Sequence, residues 1–251
     1  MSEIACMLGF DVSEPAELVL QIAVPSPSTE TLSVEAEELP GRQHYLRAEP
    51  GKLTVEYRAT VGELPPPAPV SQLDRIVALR PSRYCPSDRL GGFAGKQFGW
   101  ASDSTAAVRA ITEWVHDHLF YTVGSSGPST DAVDTLLSGA GVCRDYAHLT
   151  ATLCRALDIP ARVAAVYAPG LSPMDFHLVV ETALDGTWRV WDSTRLAPRQ
   201  TLIRIATGRD AADTALATTL SGVLTLSEMS ILAVADGDLP IDDHTSLVSL
   251  S

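Results

Sequence analysis

An alternation of apolar and polar residues runs through the first 64 residues of this 251-residue chain. Every second residue from Leu53 to Ala59 is apolar, as expected for a strand that buries one face. Shorter apolar or alternating segments at 18–24 and 31–36 predict two more strands, and prolines and a Pro-Gly pair separate them. The pattern therefore predicts a small antiparallel β domain at the start of the chain.

The periodicity changes beyond the proline-rich run 65–69, which favours extended polyproline geometry and predicts a domain boundary. Apolar residues at helical spacing predict one helix over 104–119 and another that begins near Cys143 and ends before Pro160. Residues 81–101 are rich in Gly, Pro and Ser and predict a long loop. A loop of that length is often functional, so we expect it to border a site.

Strand patterns return over 162–167, 177–184 and 187–192, with two or three more strand-like segments between 202 and 235. Asp185-Gly186 is a strong signal for a two-residue hairpin between two of these strands. Helices packed on an antiparallel sheet form an α+β arrangement. The sequence thus predicts an N-terminal β-sheet domain over 1–69 and an α+β domain over 70–251.

Charge and composition disfavour several classes of protein. A net charge of −13 argues against binding to nucleic acid, because that binding requires lysine and arginine to neutralise phosphates. The longest apolar runs are far shorter than a membrane span, so no membrane association is expected. Residues 1–10 lack the basic region of a secretory signal, which predicts a cytoplasmic protein.

The cysteines and acidic residues do not predict a metal site. The four cysteines are Cys6, Cys85, Cys143 and Cys154. None forms a close pair of the kind that binds structural zinc, and free thiols are expected rather than disulfides. The His-Asp-His run at 116–118 does not place both imidazoles on one helix face. The acidic residues between 236 and 243 lack the spacing of a calcium loop, so we interpret them as solvated and expect no metal or other cofactor.

Cys143 is the strongest candidate for a reactive group, because it follows a glycine-punctuated turn at the point where a helix begins. Unpaired backbone N–H groups and the positive end of the helix dipole favour a thiolate there. His177 and Asp192 follow on the two strands of the predicted hairpin, in which paired residue numbers add to about 371. His177 then lies opposite Thr194, with Asp192 as a diagonal neighbour. The arrangement predicts a nucleophilic thiol with a His/Asp partner pair.

A tetrahedral intermediate at this thiol would need hydrogen-bond donors for its oxyanion. The backbone N–H of Cys143 is the natural first donor. Candidates for the second donor, among which the sequence does not decide, are the side chains of Gln97, Trp100 and Tyr121.

Two polar residues on the helix that begins near Cys143 receive structural interpretations. Asp145 is interpreted as a carboxylate favoured by the helix dipole, and His148 as a packing residue directed away from the thiol.

Three separate segments resemble motifs of the transglutaminase-like superfamily, in the order expected for that family. Segment 141–162 resembles the nucleophile helix of bacterial members, 175–181 the histidine strand, and 188–194 the aspartate strand. The resemblance covers about residues 105–210, including Gly208-Arg209-Asp210. It implies a papain-like α+β core with a catalytic triad of Cys143, His177 and Asp192. The N-terminal β region is similar to a domain that often precedes this core in bacterial members.

The resemblance implies a thiol enzyme but leaves the reaction open. Val179 stands where the family usually has an aromatic residue two positions after the histidine, which bears on the shape of the pocket. Members include cross-linking transferases, peptidases and amidases, and inactive scaffolds. We expect hydrolysis of a peptide or protein amide through a thioester acyl-enzyme. The alternatives are acyl transfer to an amine and a non-catalytic binding protein on the same fold.

Overall fold

The computed structural model describes residues 1–62 and 66–250. Within this part of the chain the strands are β1 (Ser2–Leu20), β2 (Thr29–Leu32), β3 (Glu37–Leu39), β4 (Gln43–Ala48), β5 (Gly51–Val61), β6 (Phe120–Tyr121), β7 (Ala140–Gly141), β8 (Ala161–Tyr167), β9 (Phe176–Leu184), β10 (Thr187–Trp191), β11 (Ile203–Gly208) and β12 (Ala217–Ala235). The helices are α1 (Gln72–Ala78), α2 (Gly91–Phe98), α3 (Ser104–His118), α4 (Ala132–Ser138) and α5 (Cys143–Ala156), with 3-10 turns at Ser87–Arg89 and Arg199–Thr201. None of the helices described here is long and apolar enough to cross a membrane.

The predicted N-terminal β domain is present as an antiparallel sheet with the strand order β2-β5-β1-β4-β3. β1 buries every second residue from Ile4 to Val12, because this face of the sheet packs into the core. The strand predicted over 18–24 is therefore only the end of a strand 19 residues long. The alternation that marks its first half lies in the sequence from Ile4 onward.

One strand connects the two predicted domains. β12 lies within 70–251, yet it pairs with β1 from Ser2 opposite Ala235 to Leu20 opposite Ala217. The C-terminal part of the chain thus contributes a strand to the N-terminal sheet. The predicted boundary falls on the proline-rich run, of which Pro65 lies outside the described residues, and the division into 1–69 and 70–251 stays a prediction.

The second half of the chain is built on a four-stranded antiparallel sheet with the order β10-β9-β8-β11. β9 and β10 form the hairpin expected at Asp185-Gly186, and Thr187 pairs with Leu184 in the predicted register. α5 packs against β8 and β9 and is buried from Asp145 to Arg155, which makes it the central helix of this half. The predicted α+β class, with helices packed on an antiparallel sheet, is confirmed.

Residues 81–101 do not form the predicted long loop, since they contain a 3-10 turn and α2. Phe93 and Phe98 on α2 pack edge-on against Trp114 on α3, with ring centroids 5.4 and 5.9 Å apart. Glycines lower the helix propensity of this segment. Tertiary packing of one apolar face supplies the stabilisation that such a short helix lacks in isolation.

The two sheets share one core where they meet. The hydroxyl of Tyr167 on β8 donates to the backbone carbonyl of Ile22, just beyond β1, at 2.8 Å. Tyr167, Ile203 and Ile205 are buried in the same apolar cluster as the residues of β1 and β5. The backbone N–H of Gln21 donates to the carbonyl of Leu216 at 2.9 Å. The N-terminal sheet is therefore tied directly to the half that carries Cys143.

The interpretation of the C-terminal acidic residues as solvated is wrong for Asp242. Its two carboxylate oxygens accept hydrogen bonds from the guanidinium of Arg199 at 2.8 Å, and both side chains are buried. Burial raises the pKa of Asp242, but the hydrogen bonds from Arg199 outweigh it and leave that pKa below its ordinary value. Arg199 also donates to the backbone carbonyls of Val190 and Ser246. The C-terminal segment is thereby fastened to the end of β10.

Candidate active site

Cys143 is the first residue of α5, as the sequence predicts. α4 ends at Gly139 in the left-handed conformation, with φ of 66°, and β7 then runs parallel to β6 and leads into α5. Glycine is required at position 141, just before α5, because a Cβ there would lie 2.5 Å from the Cβ of Asp145. All four cysteines lie among the described residues and are unpaired, and Cys143 is partly exposed whereas the others are buried. The geometry leaves one thiol accessible, at a helix N-terminus.

Asp145 holds the turn that precedes the thiol. Its Oδ2 accepts hydrogen bonds from the backbone N–H of Val142 at 2.8 Å and from the hydroxyl of Ser126 at 2.6 Å. The side chain is fully buried, and the guanidinium Nε of Arg144 lies 3.8 Å from its other oxygen. This environment agrees with the structural interpretation of Asp145 at the start of α5.

Asp145→Ala is expected to lower the free energy of unfolding by about 2–3 kcal/mol, because two partly buried donors lose their buried acceptor. Urea denaturation followed by circular dichroism measures the change. Asp134→Ala is a matched control, since Asp134 occupies the same third position of α4 and accepts from its N-cap but is exposed. A loss below about 1 kcal/mol is expected there. Equal losses in the two variants would contradict the role given to Asp145.

His177 and Asp192 form a buried pair on the β9–β10 hairpin. His177 Nε2 lies 2.8 Å from Asp192 Oδ2, so that the ring N–H donates to the carboxylate. The other carboxylate oxygen accepts from the backbone N–H of Thr194 at 2.9 Å and from its hydroxyl at 2.7 Å. The imidazole is thereby oriented with Nδ1 left for Cys143, whose side chain contacts the ring. The predicted diagonal neighbours are in direct contact.

The charges of His177 and Asp192 stabilise each other and shift the pKa values of both groups. Burial lowers the pKa of His177, but the carboxylate of Asp192 and the thiolate of Cys143 outweigh that effect and raise the pKa to about 10. Burial likewise raises the pKa of Asp192, and the imidazolium together with the two Thr194 donors brings it below its ordinary value. The arrangement therefore favours an imidazolium at neutral pH, with the Asp192 carboxylate on one side and the Cys143 side chain on the other.

Of the three side chains considered as a second oxyanion donor, the structure brings Tyr121 to the thiol. Its phenol oxygen faces the backbone N–H of Cys143. Burial, followed by the charge of the Cys143 thiolate, raises the pKa of Tyr121 to about 12, so the phenol keeps its proton. Gln97 and Trp100 are exposed, and the indole N–H of Trp100 donates to the carbonyl of Gln97 at 2.9 Å.

His148 is a buried packing residue, as predicted. Its ring stacks on Tyr84 with centroids 5.1 Å apart, and its Nε2 accepts from the backbone N–H of Ala211 at 3.1 Å. Burial lowers its pKa to about 3, so it stays neutral. Asp210, from the Gly208-Arg209-Asp210 segment, accepts from the backbone N–H of Tyr84 at 3.0 Å. These contacts tie Tyr84 and residues 210–211 to α5.

A cleft of about 310 Å³ opens beside Cys143 and His177. Its walls come from β8, β9, β11, the segment 211–217 and Gln21. Gln21 and 211–217 are not predicted from the sequence, because no local pattern connects them to a cysteine that is far away in the chain. The contact of Thr194 with Asp192 is not predicted either, although an Asp-x-Thr sequence after a strand is a signal for a side-chain-to-backbone turn.

The described residues, 1–62 and 66–250, contain no group of three or more His, Cys, Asp or Glu side chains that could hold a metal ion. His116, the first residue of the His-Asp-His run, has its Nδ1 2.9 Å from the carbonyl oxygen of Ser193. It thus helps to position the turn that follows Asp192. That the protein needs no metal or other cofactor stays a prediction.

Comparison with known proteins gives the same picture of the fold. The family model described as the transglutaminase-like superfamily matches residues 92–193. A crystal structure of a candidate cysteine protease from Cytophaga hutchinsonii superposes with a TM-score of 0.83 at 32% identity, covering 98% of this chain and 95% of that one. An uncharacterized protein of Mycobacterium leprae (strain TN) is 30% identical over 169 residues, which are 63% of this chain and 59% of that protein.

The family model spans the segment from α2 to the turn after Asp192, and thus includes Cys143, His177 and Asp192. The Cytophaga hutchinsonii structure extends the likeness over nearly the whole chain, including the N-terminal sheet. The chain belongs to the transglutaminase-like superfamily.

Proposed function

We propose that this protein is a thiol-dependent hydrolase of peptide or amide bonds, with Cys143 as nucleophile, His177 as acid and base, and Asp192 as the residue that orients the imidazole. The observation that carries the proposal is the buried His177–Asp192 pair, in which Nε2 and Oδ2 lie 2.8 Å apart. This pair faces Cys143, which is partly exposed whereas the other three cysteines are buried. Nucleophile, base and orienting carboxylate are the three parts of such a site. The likeness to a candidate cysteine protease supports the same reading.

The reaction would run in two steps. The Cys143 thiolate attacks the carbonyl carbon, the imidazolium of His177 gives its proton to the leaving amine, and a thioester forms. Water then attacks the thioester carbonyl, with neutral His177 accepting a proton from it, the C–S bond breaks, and the carboxylic acid product leaves as the thiolate and imidazolium are restored. The backbone N–H of Cys143 and the phenol of Tyr121 are the proposed donors to the oxyanion in both steps.

Hydrolysis is preferred to acyl transfer because water is always present, whereas transfer requires an amine to reach the thioester first. A primary amine added at millimolar concentration distinguishes the two reactions. Formation of the amide product faster than the free acid would favour a transferase.

A peptide or protein amide is the proposed substrate in either reaction. A cytoplasmic location is supported by the four unpaired cysteines.

The pH dependence of alkylation at Cys143 tests the thiol–imidazole pair and separates an enzyme from a non-catalytic binding protein. Because the pKa of His177 is raised to about 10, the imidazole beside Cys143 should stay positively charged at pH 6 as well as at pH 8. Iodoacetamide is therefore expected to label Cys143 at pH 6 at a rate within about threefold of that at pH 8. Mass spectrometry of the Cys143 peptide measures the rates.

In His177→Ala the same rate is expected to fall about tenfold for each pH unit below about 8.5, as for an ordinary thiol. Cys154 is an internal reference, because burial raises the pKa of its thiol to about 12 and it should remain unlabelled in both proteins. If the labelling rate of the wild type depends steeply on pH, and His177→Ala leaves that dependence unchanged, the hydrolase proposal is wrong. A binding protein on the same fold would then be the better interpretation.

A further inference from the structure

We propose that the cleft beside Cys143 is a specificity subsite for one apolar side chain of the acyl donor. The substrate would then be a peptide with a residue of leucine or phenylalanine type at one of the two positions that precede the bond that is cut. This inference rests on the proposed function for its chemistry, but the shape and lining of the cleft carry it independently. The cleft volume of about 310 Å³ is at the lower end of the range for ligand pockets. It therefore suits a single side chain better than an extended ligand.

Apolar side chains form most of the wall. They come from four separate elements and include Ala165, Phe176, Leu178, Ile205, Ala215 and Leu216. Ala165 faces the cleft from β8, and Phe176 and Leu178 flank His177 on β9. An apolar group placed against them would lose contact with water, which is the main source of affinity for such a group.

The charges around the cleft disfavour a charged occupant. No Asp or Glu among the described residues lines it, so a lysine or arginine side chain would find no counterion. Arg144 does line it, but a terminal nitrogen of its guanidinium donates to the carbonyl of Gly127 at 2.9 Å, and Nε lies 3.8 Å from Asp145. A carboxylate in the cleft would compete with Asp145 for that guanidinium. An uncharged side chain meets neither obstacle.

The cleft depends on the N-terminal sheet for its shape. Gln21 borders it and is joined through its backbone N–H to the carbonyl of Leu216. Ala217, the next wall residue, begins β12 and pairs with Leu20 on β1. The segment 211–217 is thus held against the thiol by the sheet, which makes the N-terminal sheet part of the substrate-binding unit.

Peptidyl chloromethyl ketones that alkylate Cys143 test the subsite. The set is acetyl-Gly-Gly, acetyl-Gly-Leu, acetyl-Leu-Gly and acetyl-Gly-Glu chloromethyl ketone, each assayed at pH 9. An ordinary thiol is largely ionised at that pH, so selectivity is measured whether or not His177 activates the thiol. At least one leucine reagent is expected to react about tenfold or more faster than acetyl-Gly-Gly, because it buries an apolar side chain. The glutamate reagent should gain nothing.

Ala215→Trp should abolish the preference by filling the cleft, since Ala215 lines it from an irregular segment and is partly exposed. Ala212→Trp is the matched control, because Ala212 lies three positions away, is exposed and does not line the cleft. It should keep the preference. Equal rates for the glycine and leucine reagents in the wild type, or the same residual preference in both tryptophan variants, would overturn the subsite. A leucine preference at pH 9 without reactivity at pH 6 would instead remove the hydrolase proposal and leave the subsite standing.

Discussion

Cys143→Ala is expected to abolish peptide hydrolysis, with a loss of at least about 10⁴-fold in kcat/KM, because no other group at the site can form the acyl-enzyme. The fold should be unaffected. Cys143 is partly exposed at the first position of α5, and alanine has the highest helix propensity. A fluorogenic peptide with leucine beside the scissile bond measures the activity, and thermal unfolding followed by circular dichroism measures the stability.

Cys154→Ala is the control, because it removes a thiol from the same helix with the opposite consequences. Cys154 is fully buried in the core that α5 forms with α3 and the sheet. Its replacement should cost about 1 kcal/mol of stability through lost packing and leave hydrolysis near the wild-type rate. Hydrolysis that persists in purified Cys143→Ala would show that another group performs the reaction.

Asp192→Asn is expected to reduce kcat/KM by about 10³–10⁴-fold while the hairpin stays folded. The amide is close to the carboxylate in size and its oxygen can still accept from Thr194, but it carries no charge. Because the carboxylate is the largest influence that raises the pKa of His177, that pKa should fall from about 10. The imidazole then no longer carries a proton at neutral pH for the leaving amine. NMR titration of the His177 ring protons measures the pKa, and the fluorogenic peptide measures the rate.

Thr194→Val is the matched control for this variant. It removes the hydroxyl that donates to Asp192 at 2.7 Å but keeps the carboxylate and the hydrogen bond from the backbone N–H. A loss of about tenfold is expected, since the carboxylate is held less firmly but still faces the imidazole. If Asp192→Asn lost no more activity than Thr194→Val, the charge of Asp192 would have no part in the reaction.

The N-terminal sheet is joined to the half of the chain that carries Cys143. Its strand β1 pairs with β12, and Gln21 at its end borders the cleft. A truncated protein that begins at Val70 would leave β12 without the strand it pairs with and would expose the apolar faces of Tyr167 and Ile205. The division into 1–69 and 70–251 stays a prediction, and the stability of this truncated protein would test it.

Two features of the candidate site are determined by the local sequence. The start of α5 at Cys143 follows from a glycine-rich turn before an apolar helical pattern, and the structure has the helix begin at that residue. The placement of His177 near Asp192 follows from Asp185-Gly186, because a two-residue turn sets the register of its two strands. Both rules act over a few residues, so no knowledge of distant contacts is needed to apply them.

Other features depend on residues that are far apart in the chain, and only the tertiary structure decides them. α2 forms in a glycine-rich segment because Phe93 and Phe98 pack on Trp114. Asp242 is buried because Arg199 meets it from a turn 43 residues earlier. Tyr121 lies close to the start of α5 because β6 pairs in parallel with β7, which leads into that helix. The burial of apolar surface and the pairing of charges at such separations leave no periodic signal in the sequence, whereas turns and helix starts do.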